Sequence, residues 1–148
     1  MECIRFSAGY KYQLRETYSL VITIKPPEPI CTRYIDLFTG GTLVIREGYA
    51  WDGPSGPTID TLSFMRGSLV HDALYQLMRE KHLPQSCRPE ADRIIRDICR
   101  QDGMMSLRAW WVHLGVTYGG GPSADPALAE PDKCAPGDCE CTASSVKP

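Results

Sequence analysis

Hydrophobic residues in the first fifty positions tend to recur at every second place. Tyr10, Tyr12 and Leu14 alternate with polar neighbours, and Leu20, Ile22 and Ile24 repeat the pattern. A period of two is that of a half-buried strand. Pro26, Pro27 and Pro29 close the run, because proline has no N–H to give to a ladder. Arg33 to Leu37 and Thr42 to Ile45 flank Phe38-Thr39-Gly40-Gly41. This predicts a hairpin whose paired glycines adopt the positive φ values of a tight turn.

The period then lengthens. From Ser68 to about Lys81 the apolar positions are Val70, Leu74, Leu77 and Met78, which is helical spacing. After a connection at 82–88 a second helix is predicted from Pro89, a favourable first-turn residue, with Ala91, Ile94, Ile95, Ile98 and Cys99 on one face. Gly103 is its expected stop. Met104, Leu107, Trp111, Leu114 and Tyr118 follow at steps of three and four, predicting a third helix with these side chains in the core. From Gly119 onward glycine, proline, alanine, serine and acids dominate, so 119–148 reads as a disordered tail. The expected class is α+β: a small N-terminal antiparallel sheet followed by about three packed helices. One domain would span 1–118, with its sheet at 8–50, a loop at 51–60 and helices at 61–118.

Composition narrows the possibilities. A chain of 148 residues, 43% hydrophobic and 23% charged, is large enough to bury a core without staples. A formal charge of −2 sets aside a general nucleic-acid binder, which needs clustered Lys and Arg. No run of roughly 18 apolar residues is present, so no membrane span is expected. Met1 to Arg5 lacks the basic-then-apolar layout of a signal peptide. The seven cysteines are an odd, scattered set that reads as thiols of a reducing compartment. Cys134, Cys139 and Cys141 match no standard zinc spacing.

Candidate chemistry concentrates in His71-Asp72-Ala73-Leu74-Tyr75, in Asp92, and in Trp51-Asp52-Gly53-Pro54-Ser55-Gly56-Pro57. His71 and Tyr75 are four apart and share a helix face. Antiparallel packing of the first two helices brings Asp92 to both. A carboxylate bonded to one ring nitrogen fixes the imidazole tautomer and leaves the other nitrogen able to accept a proton. Asp72 projects about 100° away from His71, toward the preceding loop. Loop carbonyls, Asp72 and Asp52 together would make a hard oxygen site suited to calcium. Gly53 and Gly56 permit close backbone approach to a ligand. In the structural alternative His71, Asp92 and Tyr75 form a buried hydrogen-bond network, Arg88 pairs with Asp92, and Asp52 is a turn residue. A serine hydrolase is set aside because Ser55 lies outside the Gly-x-Ser-x-Gly context. A His-Asp metal phosphohydrolase is set aside because no histidine precedes His71. His82 and His113 show no partner pattern.

Residues 51–102 resemble the catalytic core of the secreted and parvoviral phospholipase A2 superfamily, through Trp51 to Pro57, His71-Asp72-x-x-Tyr75 and Asp92. The resemblance implies that His71 activates water and that Asp92 orients the imidazole and contacts Tyr75. It also implies that Asp72 holds calcium together with the loop groups of Asp52, Gly53 and Ser55. Over roughly 10–118 the chain is similar to a family of small phage and prophage proteins known as domain of unknown function 1353. That similarity rests on Gly48-Tyr49-x-x-Asp52-Gly53-x-Ser55-x-Pro57, His71-Asp72-x-Leu74-Tyr75 and Arg88-x-x-Ala91-Asp92. Together these imply a phage or prophage protein of the host bacterial cytoplasm or the virion. One expectation is a calcium-assisted phospholipid or ester hydrolase that meets a phospholipid or membrane surface. The other is a non-enzymatic accessory or virion-assembly protein that binds other phage proteins.

Overall fold

Alternating aliphatic residues in short runs, broken by Pro and Gly, can only make short strands, and that is how the chain begins. The computed structural model describes residues 4–6, 11–53, 62–128 and 133–135. The strands are β1 (Ile4–Phe6), β2 (Tyr12–Gln13), β3 (Tyr18–Val21), β4 (Ile30–Cys31), β5 (Ile35–Leu37), β6 (Thr42–Ile45) and β7 (Ala50–Trp51). There follow α1 (Leu62–Arg79), α2 (Arg88–Gln101), α3 (Ser106–Gly119), the single turn α4 (Gly121–Ala124) and β8 (Lys133–Ala135). The fold is α+β, antiparallel strands first and helices after.

The main sheet is antiparallel in the order β3-β6-β5-β4. Ile35 stands opposite Ile45 and Leu37 opposite Leu43, and all four are fully buried. The hairpin between β5 and β6 forms as expected, but only Gly41 needs its special backbone, with φ +89°. A side chain there would strike the carbonyl of Ile22, so the second glycine of the pair serves both the turn and the neighbouring strand. β2 pairs with β7 and sets Tyr12 across from Trp51, ring centroids 5.6 Å apart. That short ladder aims the chain toward the helices.

The sheet core continues into α1 through Val70, Ala73, Leu74, Leu77 and Met78. α1 starts at Leu62, earlier than the expected Ser68, because Phe64 extends its buried face. Gly67 is where α2 crosses closely: a methyl there would lie 2.7 Å from Cys99 Sγ. α2 begins at Arg88, with Pro89 in its first turn. It ends as expected at Gly103, whose φ is +86°. There the Gly103 and Met104 N–H groups donate to the carbonyls of Arg100 and Cys99, a Schellman closure. Phe64, Ile95, Cys99, Met104, Ala109 and Val112 make a second core cluster among α1, α2 and α3.

Two expectations change. α3 forms, but it buries Ala109 and Val112 and leaves Leu107, Trp111 and Tyr118 exposed. The aromatic stripe expected in the core therefore faces out. The chain also stays packed beyond Tyr118: Ala124 is fully buried, Arg79 Nη1 donates to the Ser123 carbonyl, and Gln85 Nε2 donates to the Ala124 carbonyl, both at 2.7 Å. Small residues after 118 are what let this segment lie against α1. β8 pairs with β1. Residues 129–132 and 136–148 of the expected tail lie outside the described residues. Among the described residues no helix is long and apolar enough to cross a membrane.

Candidate functional site

The site is assembled by the α1–α2 crossing. Four residues apart on α1, His71 and Tyr75 lie on one face with ring centroids 3.9 Å apart. The second residue of α2's inner stripe, Asp92, faces both of them. His71 is 6% exposed and Asp92 2%. Asp92 Oδ1 lies 3.0 Å from His71 Nε2 and accepts from Tyr75 Oη at 2.7 Å. A carboxylate only accepts, so Nε2 carries the proton and Nδ1 is the basic nitrogen of the neutral ring. Nδ1 faces the Asp72 carboxylate at 3.8 Å, beyond hydrogen-bond reach but close enough for charge to act.

Electrostatics follow from this geometry. Burial works to lower the His71 pKa, but the carboxylates of Asp72 and Asp92 outweigh it, and the net direction is upward from 6.5. Burial works to raise Asp92, but the His71 and Tyr75 hydrogen bonds prevail and hold it below 3.8. The Tyr75 phenol is pushed up, first by burial and then by the carboxylate it donates to. The pair is thus a stabilised imidazolium–carboxylate at mildly acidic pH and a directed neutral base above it.

A second layer of contacts was not legible in the sequence. Arg88 does not pair with Asp92; its Nε donates to Tyr75 Oη at 3.2 Å, and its Nη2 donates to the Thr117 carbonyl. His113 Nδ1 lies 2.9 Å from the Asp92 carbonyl oxygen and must donate to it. Gly120 presses on the same network, since a methyl there would lie 2.7 Å from Tyr75 Oη. In the sequence its place in the Gly119-Gly120-Gly121 run signals a tail and carries no sign of this close approach.

The expected calcium ligands are placed less decisively. Asp72, on α1, has a side chain 32% exposed beside the imidazole. At the end of β7, Asp52 is exposed, and Gly53 is buried against the Tyr12 ring with φ +73°. Trp51 Nε1 donates to Ser68 Oγ at 3.2 Å, tying this end of β7 to α1 one turn before His71. Ser55 lies outside the described residues. Among the described residues no group of three or more His, Cys, Asp or Glu side chains is placed to hold a metal ion. What they form is a braced imidazole with one half-exposed carboxylate, not an oxygen cage.

Comparison with known proteins adds a family. The family model described as Protein of unknown function (DUF1353) matches residues 31–116, more than half of the 148-residue chain. No curated protein and no solved structure matches the chain.

Proposed function

We propose that the chain, which belongs to the DUF1353 family, is a phage or prophage hydrolase of phospholipid or related esters with His71 as its general base. The observation that supports this reading most is the two-sided imidazole: Nε2 is fixed by Asp92 at 3.0 Å, and Nδ1 is directed to the half-exposed side marked by Asp72. In the reaction Nδ1 takes a proton from water while the water oxygen bonds to the ester carbonyl carbon. The imidazolium so formed is stabilised by Asp92 and Asp72, and it returns the proton to the departing alkoxide as the ester bond breaks. Tyr75, held by Arg88, keeps the Asp92 carboxylate in place. The phage origin rests on the Gly48–Pro57, His71–Tyr75 and Arg88–Asp92 motifs. Calcium has ligand candidates in Asp72, Asp52 and Gly53, with Ser55 beyond the described residues. Among the described residues this donor set does not close around an ion.

A specific observation favours a second reading, in which the cluster is structural in a non-enzymatic phage accessory or assembly protein. His71 and Asp92 are buried, and Arg88, His113 and Thr117 extend their network to α3. Fatty-acid release from phospholipid vesicles by the full chain, in millimolar calcium and in chelator, separates the two. The hydrolase reading expects release in at least one condition, and a calcium requirement that Asp72→Asn weakens would add the metal. No release in either condition, from a folded chain, leaves the structural reading.

A further inference from the structure

The side of α3 turned away from the rest of the molecule is apolar along its length. Leu107, Trp111, Leu114 and Tyr118 fall within about 60° of one another at 100° per residue. They are spaced by four, three and four, the seam spacing of paired helices. Leu107 is 66% exposed, Trp111 63% and Tyr118 84%, and Trp110, 49% exposed, packs edge to face on Trp111 with centroids 5.4 Å apart. This helix has no acidic residue and no lysine. Its inner side is occupied, by the Ala109 and Val112 packing and by the His113 and Thr117 contacts to the site. Among the described residues the outer seam is thus surplus to the packing of its own chain.

We propose that this seam is the interface of a homodimer, two copies of α3 packed against each other about a two-fold axis. Area is the first argument for a second copy. At ~200 Å² per aromatic side chain, the exposures of Trp110, Trp111 and Tyr118 leave roughly 400 Å² of aromatic surface. With the exposed Leu107 and the half-buried Leu114 beside them, the patch makes up the greater part of the ~800 Å² per partner of a standard interface. It stands at the upper end of the roughly 300–600 Å² that the largest apolar patch of a monomer covers. Charge is the second argument. The seam positions themselves carry no charge, with Arg108 only at the flank, so they offer a charged partner little to read and complement themselves. Gly115 is the third. It sits mid-helix at the flank of the seam, and a methyl there would meet nothing within 4 Å. The chain's own packing gives no reason for this helix-weakening glycine, and close approach of a second helix does.

Sedimentation equilibrium of the full chain under reductant, at about 1–100 µM, tests the proposal. The expected result is a mass twice the 16.5 kDa of one chain at the upper concentrations. Trp111→Glu should return it to one chain, as should Tyr118→Glu at the far end of the seam. Val21→Glu, an exposed apolar position on β3, should leave the dimer intact. Circular dichroism establishes that each variant is folded. A single-chain mass for the wild type throughout, or a dimer unchanged in both seam variants, overturns the proposal. So does a monomeric wild type that co-sediments with phosphatidylcholine vesicles through Trp111, which would assign the seam to lipid.

Discussion

One oxygen atom carries the centre of this molecule. Asp92 Oδ1 accepts from His71 and from Tyr75 at once, inside a network that is 2% exposed at the carboxylate. Asp92→Ala strands both donors in the interior, a loss of about 3–5 kcal/mol for a broken buried pair. Tyr75→Phe removes two charge-assisted bonds, one to Asp92 and one from the more exposed Arg88, and should cost at least about 1.5–3 kcal/mol. Urea unfolding measures both; a cost below about 1 kcal/mol for Asp92→Ala would mean that the network contributes little. The same pair sets a pH dependence. Asp92 is held below 3.8 when folded, so its contribution is complete above that value and is lost as pH falls through the lower folded pKa. His71 is raised above 6.5, so its contribution is complete below 6.5 and is lost as pH rises through the higher folded pKa. Urea midpoints in chelator should therefore peak between these limits, and the alkaline decline should vanish in His71→Gln. His71, Tyr75 and Asp92 were legible in the sequence because two antiparallel helices with known faces leave little choice. His113 and Thr117 were not, because they act on or through backbone carbonyls, which carry no side-chain signature.

At the scale of elements, glycine was the residue most easily misread. Gly67 carries no signal in the apolar pattern of α1, yet it is a point of close approach to Cys99. Gly120 looked like the start of a tail and is instead the lid of the network, between the Val116 carbonyl and Tyr75. Gly120→Ala should push the end of α3 away from Tyr75 and cost about 1–3 kcal/mol by overpacking. Gly119→Ala, whose added methyl meets nothing within 4 Å, is the control and should be near neutral or stabilising. Equal effects of the two in thermal unfolding would contradict this role for Gly120. For α3 itself the error was one of face. Its residues are apolar nearly all round, so periodicity offers two stripes, and the larger side chains attracted the core assignment. The smaller ones, Ala109 and Val112, are buried because they let α3 lie close to α2.

At the scale of the whole molecule the division into sheet and helices was plain from the change of period near Trp51. The packing of the chain beyond Tyr118 was not, since composition cannot reveal that Ala124 is buried against the core. The sheet core under α1 and the second cluster of α1, α2 and α3 are both built on α1, the helix that carries His71. That central placement suits a base that must not move and equally a strut that must not break. The measurement that separates them most directly is the rate of fatty-acid release by His71→Gln relative to the wild type, with both shown to be folded. A general base contributes about 10²–10⁴-fold, so the variant should fall by at least ~100-fold while its circular dichroism is unchanged. A folded His71→Gln that releases fatty acid at the wild-type rate would contradict the assignment of His71 as the base.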